Sequence, residues 1–165
     1  MPQDRSLGIT VTVTGQQAND GSFTATANYV QASSNPPGNN LVDSAGDINL
    51  NNLPGNAGFH WAIGISFNLV SAITDRNGGP VAASWATPIG QGIAITGPGG
   101  GAANGMSANA PSNSQILLNN ANNDRNQPQA QRTYTYKLGI MLPMYNNYFI
   151  SLDPMIINTG STGGF

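Results

Sequence analysis

His60 is the chain's single histidine, and cysteine is absent. A general base, metal cluster or nucleophilic triad of the usual kind would therefore have to be assembled around one imidazole. His60 lies on the polar face of the alternating stretch GFHWAIGISFNLV, beside Trp61, and the chain has no GxSxG elbow to bring a serine to it. It is read as a structural or solvated histidine, and no catalytic residue is assigned. All seven acids are aspartates at turns or termini, where a short carboxylate caps its own backbone, so no glycosidase pair is expected. The segment VDSAGDINLNN gathers Asp43, Asp47, Asn49 and Asn51, oxygen donors suited to a hard cation, but without EF-hand spacing. No metal and no cofactor are assigned. GPGGGAANG contains no GK[ST], so it reads as a linker or assembly arm rather than a phosphate loop. Trp85, near an expected sheet edge, is a sugar-stacking candidate through its flat apolar face, weighed against a half-buried core tryptophan.

The charge inventory bounds the partners. Of 165 residues only 7% are charged, with one lysine, Lys137, and no glutamate, where a globular domain usually carries about 25%. A net charge of -2 gives nothing to neutralise a phosphate backbone, so no nucleic-acid partner is expected. No window approaches the ~18 apolar residues of a spanning helix, and MPQDRSLG lacks a signal-peptide run. The expectation is cytoplasmic synthesis without a signal peptide or membrane contact, in an inclusion or a released particle.

Helix should be scarce, because strong helix formers are few and Gly, Asn, Ser and Thr are abundant. Period-two alternation recurs instead. Ile9, Val11 and Val13 alternate with threonines, Phe23 to Tyr29 continues after the loop GQQANDG, and a short strand is expected at GDINL. Phe59, Trp61, Ile63, Ile65, Phe67 and Leu69 share one face of a core strand. VAASWAT, between Pro80 and Pro88, is placed at a sheet edge. GIAIT, QILLNN, RTYTYKLGIML and YFISLDPMIIN complete eight or nine strands. The reading is an all-β, antiparallel β-sandwich of immunoglobulin-like type, with a jelly roll as the alternative. One domain spans 1–165, with a Gly/Asn-rich insertion at about 97–114 whose composition does not support packing.

In YFISLDPMIIN, Asp153 precedes Pro154 and is driven to extended geometry. Pro154 removes a ladder donor, so the strand must bulge or break before MII resumes, with Asp153 accepting turn amides as a structural corner. Tyr134, Tyr136, Asp153, Pro154, Ile156 and Ile157, within Tyr134 to Asn158, resemble the C-terminal hairpin of small bacterial immunoglobulin-like sandwiches, the DP-EP family and the related AidA/PixA inclusion body proteins. That resemblance implies a cytoplasmic, non-catalytic protein that accumulates in ordered inclusions.

Surface chemistry points to self-assembly on its own grounds. Ordering a Lys or Glu side chain at a contact costs up to ~2 kcal/mol of rotamer entropy, and this chain has nearly removed both types. The expected function is a non-catalytic structural subunit of an inclusion, filament or shell, with copies of itself as partner. Ile9, Val11 and Val13 are candidate donors for strand addition to another copy. A carbohydrate-binding module, with a glycan as partner, is the alternative, and a hydrolase ranks last.

Overall fold

The computed structural model describes residues 3–53 and 58–160, and the described chain is all-β. Leu7, Ile9, Val11 and Val13 alternate with more polar residues along β1 (Gln3–Gln17), which turns tightly into β2 (Phe23–Asn35). Asp20 sets that turn. Its Oδ1 accepts from the Ser22 hydroxyl at 2.7 Å and the Ser22 amide at 2.9 Å, and these bonds hold the carboxyl below its usual range.

The next elements are β3 (Ile48–Asn49), β4 (Phe59–Thr74), β5 (Pro80–Val81), β6 (Ser84–Trp85), a one-turn helix α1 (Ile89–Gly92) and β7 (Ile93–Thr96). β8 (Met106–Ser112), β9 (Gln115–Asn120), β10 (Thr133–Leu142), β11 (Tyr148–Ser151) and β12 (Met155–Asn158) follow. Sheet one runs β2-β1-β4-β9-β8, with β5 against the end of β4. Sheet two runs β11-β10-β12-β3, with β6 and β7 also paired to β10.

Three features differ from the sequence expectation. The sheets are mixed rather than antiparallel: β1 lies parallel to β4, and β12 parallel to β3. Antiparallel β2 returns the chain to the starting end of β1, where Ser6 pairs with Asn35 and Gln3 with Phe59, so β4 sets out from the same end as β1 and runs parallel to it. The strands outnumber the eight or nine expected, because VAASWAT divides into β5 and β6, YFISLDPMIIN divides into β11 and β12, and β8 is added. Part of the Gly/Asn-rich insertion is also a strand. Met106 and Ala108 pack against the core while Ser107 and Asn109 face out, so β8 alternates with small residues in place of large ones.

The sheets meet in one core. Ile9, Ile65, Phe67, Ile116, Tyr136, Leu138 and Ile140 are all 0% exposed, and the Phe67 ring of sheet one lies 5.4 Å from that of Tyr136 in sheet two. β10 is the spine of sheet two. β7 and β6 pair along one side of it, β11 and β12 along the other. Gly139 stands opposite Ser151, whereas Tyr136 stands opposite Met155, so one extra residue is accommodated at Leu152–Pro154. The Asp-Pro corner is thus a bulge in a strand that resumes. On the other side of Gly139, a Cβ would meet the Gln91 carbonyl oxygen at 2.3 Å. Glycine lets α1 lie against the strand there. No helix among the described residues is long and apolar enough to cross a membrane.

Candidate functional site

Backbone direction in β2 defines a groove beside the Asp-Pro corner. The Phe23 amide donates to Tyr148 Oη at 3.3 Å, and the Tyr29 amide donates to the Ser44 carbonyl at 3.2 Å. Both therefore point away from β1, and strand periodicity sends the backbone groups of Ala25 and Ala27 the same way. These two residues face a cavity of about 310 Å³ lined also by Ala45, Asp47 and Ser151–Met155. Tyr29, Asp47 and the corner close its far end.

Asp153 lies exposed on the rim, and no described amide donates to its carboxylate. The role expected for it is filled from elsewhere: Asp47 Oδ1 accepts the Ile156 amide at 3.0 Å, from a loop 109 residues earlier. Asp43 Oδ1 in turn accepts from the amides of Ala45 and Asp47 at 3.0 and 2.9 Å. Asn49 Oδ1 accepts from the Asn51 amide at 3.1 Å and from the Asn158 side chain at 3.3 Å. The oxygen-rich segment VDSAGDINLNN is occupied with holding its own turns and pinning β12. Among the described residues no group of three or more His, Asp or Glu is arranged to hold a metal ion.

The remaining sequence candidates scatter. His60 Nδ1 sits 2.8 Å from Asp4 Oδ1, with both side chains at least half exposed, and no described hydroxyl bonds to the imidazole. Such a pair in solvent contributes at most ~1 kcal/mol. Trp85 is 2% exposed in the core, so the expected sugar platform presents no ring face to solvent. It lies opposite Ile140 on β10 and belongs to the core cluster. Ile9, Val11 and Val13 are fully buried on β1, which is paired along both sides, by β2 and by β4. Donating that segment to another copy would require pulling out the middle of sheet one.

Two arginines escaped sequence reasoning. Arg5 is 3% exposed and Arg132 is 9% exposed, although basic side chains are almost never buried so deeply unless partnered. Arg5 and Arg125 lie over the Trp61 ring, 4.9 and 5.1 Å from its centroid. Burial lowers the pKa of Arg5, which still carries its charge at any physiological pH. Since Arg5 and Arg132 face inward, the exposed positive charge is smaller than the five Lys and Arg of the sequence imply.

Three tyrosine hydroxyls are held far above their ordinary value of 10.0. Burial is the first cause in each case, joined by the charge of Asp153 at Tyr29, by Asp124 at Tyr134, and by Tyr29, Asp47 and Asp43 at Tyr136. In an unfolded chain they ionise near pH 10, whereas the fold keeps them protonated. Their contribution to stability is thus complete below pH 10 and is lost as pH rises above it. Alkaline titration should show the tyrosinate absorbance of these residues appearing together with loss of the β-sheet circular dichroism. Full five-tyrosine amplitude with the spectrum of the fold intact would refute it.

Both outer strands of sheet one are free of charge. No Asp, Glu, Lys, Arg or His occurs between Gly21 and Val42, which includes β2, or between Asn77 and Asn123, which includes β8. Natural sheet edges are commonly protected by such charges. The β2 edge is closed by Tyr148 and Ser44 as above, while Asn109 to Ser112 on β8 are all exposed. Compared with known proteins, the chain matches no protein-family model, no curated protein and no solved structure, so its function has to be read from this geometry.

Proposed function

We propose that the chain is a non-catalytic structural subunit, an immunoglobulin-like β-sandwich that assembles with copies of itself through an uncharged polar surface. The observation that carries this reading is the stretch from Asn77 to Asn123, which holds no ionisable side chain and contributes every strand from β5 to β9. Charges on a surface that packs against copies of itself repel unless each finds an opposite partner, and a surface without charges has no such repulsion to overcome. Short Asn, Ser, Thr and Gly side chains also lose little rotamer entropy on contact. The resemblance of the C-terminal hairpin to the DP-EP and AidA/PixA inclusion body proteins supports the same conclusion.

Light scattering and negative-stain microscopy of the purified chain at micromolar concentration test it. Regular particles or filaments are expected, and they should persist from low to high salt, because contacts without ion pairs are not screened. A monomer at every concentration would overturn the proposal.

A further inference from the structure

The open edge of β8 has a defined chemistry. The Ala121 amide donates to the Gly105 carbonyl at 2.8 Å, and the register places Met106 opposite Asn120. Gly105, Ser107 and Asn109 therefore direct their backbone groups to β9, and Met106 and Ala108 direct theirs outward. The register then shifts between Asn109 and Ser112, where Ala110 and Pro111 together stand opposite Ile116 and neither is paired to β9. The Met106 amide is taken by the Ala103 carbonyl at 3.3 Å. Ala108 and Ala110 make no backbone hydrogen bond to any other described residue beyond the β9 ladder. The Ala108 side chain occupies the inner face of the sheet and touches the core, while Ala110 is exposed.

We infer that this edge pairs with the β8 edge of a second copy, antiparallel, about a two-fold axis at Asn109. The inference rests on the self-assembly reading and names one of its contacts, a two-fold pair that closes at two copies. With the axis at Asn109, Ala108 of one copy faces Ala110 of the other and the reverse, so about four ladder hydrogen bonds close. Inner faces meet inner faces, and sheet one runs unbroken through both copies. The interface is isologous: Asn109, on the axis, meets its own duplicate, and every other contact occurs twice. β8 and its flanks carry no charge for which this would be unfavourable. β2 is the poorer choice, because Tyr148 and the Ser44 loop already occupy the ends of its edge.

The two Asn109 residues would form a non-hydrogen-bonded pair with Cα atoms about 4.5 Å apart, within disulfide range. The full chain lacks cysteine, so Asn109→Cys introduces a single thiol. Asn28→Cys, at an exposed position on β2, controls for random collision. On mild oxidation Asn109→Cys should become a covalent dimer at least tenfold faster than Asn28→Cys. In a second variant, Asn109→Asp, two carboxylates oppose each other, and sedimentation should show association weakened at least tenfold at neutral pH and recovered near pH 3. The side chain at this position is exposed, so both variants keep the fold. If the unmodified chain assembles while Asn109→Cys crosslinks no faster than the control and Asn109→Asp associates normally, the β8 contact is wrong and self-assembly stands. If the unmodified chain remains monomeric, both are wrong.

Discussion

Replacing Phe67 by alanine is expected to cost about 3–5 kcal/mol, the range for truncating a buried phenylalanine. Phe67 is 0% exposed, with Ile9 on one neighbouring strand and Ile116 on the other at the same level. Its ring reaches across to Tyr136, 5.4 Å away. The cavity would open where the two sheets meet, and the backbone of a central strand paired on both sides cannot collapse to fill it. Domains have only about 5–15 kcal/mol of net stability, so this single change should leave a marginal fold. Denaturant titration gives the measurement: the midpoint should fall sharply while the slope stays the same. Met144→Ala, at a side chain 77% exposed, should change stability by no more than about 0.5 kcal/mol. A Phe67→Ala loss as small as that of Met144→Ala would mean that the sheets do not depend on this contact.

Phe67 was legible because large apolar residues alternate over the whole of GFHWAIGISFNLV, and the same signal located β1, β9 and β10. The Asp-Pro corner was legible from local chemistry, since a proline cannot donate to the ladder. β8 was hidden because its inward residues are alanines, and alternation of Ala with Ser and Asn hardly differs in hydropathy from a linker. Partners across long sequence separations were hidden for a different reason. The Ile156 amide finds Asp47 rather than the adjacent Asp153, and β1 finds β4 in parallel. No local pattern encodes either choice. Of the two readings of Trp85 the core tryptophan holds: VAASWAT forms two short strands, each paired with a single neighbour, and the indole is buried from there.

Arg132 gave no sequence signal, and its replacement by leucine is the second large expected loss. Its Nε donates to the Gln127 carbonyl at 2.7 Å. One Nη1 serves the Thr159 carbonyl at 3.0 Å and Asn51 Oδ1 at 3.4 Å, and Nη2 serves Gln129 Oε1 at 3.2 Å. The Arg132 carbonyl in turn accepts from the Thr159 amide and hydroxyl at 3.0 and 3.1 Å. One planar fork thus ties the loop before β10 to the turn after β3 and to the chain leaving β12. Leucine would leave the buried Thr159 carbonyl without its guanidinium donor, at about 1–3 kcal/mol, and would also lose the part-buried bonds to Gln127, Gln129 and Asn51. Lysine keeps the charge but offers one nitrogen where the guanidinium offers three in fixed directions, so Arg132→Lys should recover only part of the loss. Thermal melts should rank the proteins as wild type, then Lys, then Leu. Equal melting of the Lys and Leu variants would show that charge alone gives no rescue, whereas full rescue by Lys would show that the fork geometry is dispensable. Lys137→Leu, at an exposed site on β10, should barely move the midpoint, which would place the stabilising work of positive charge inside this fold and leave its surface free for uncharged contact.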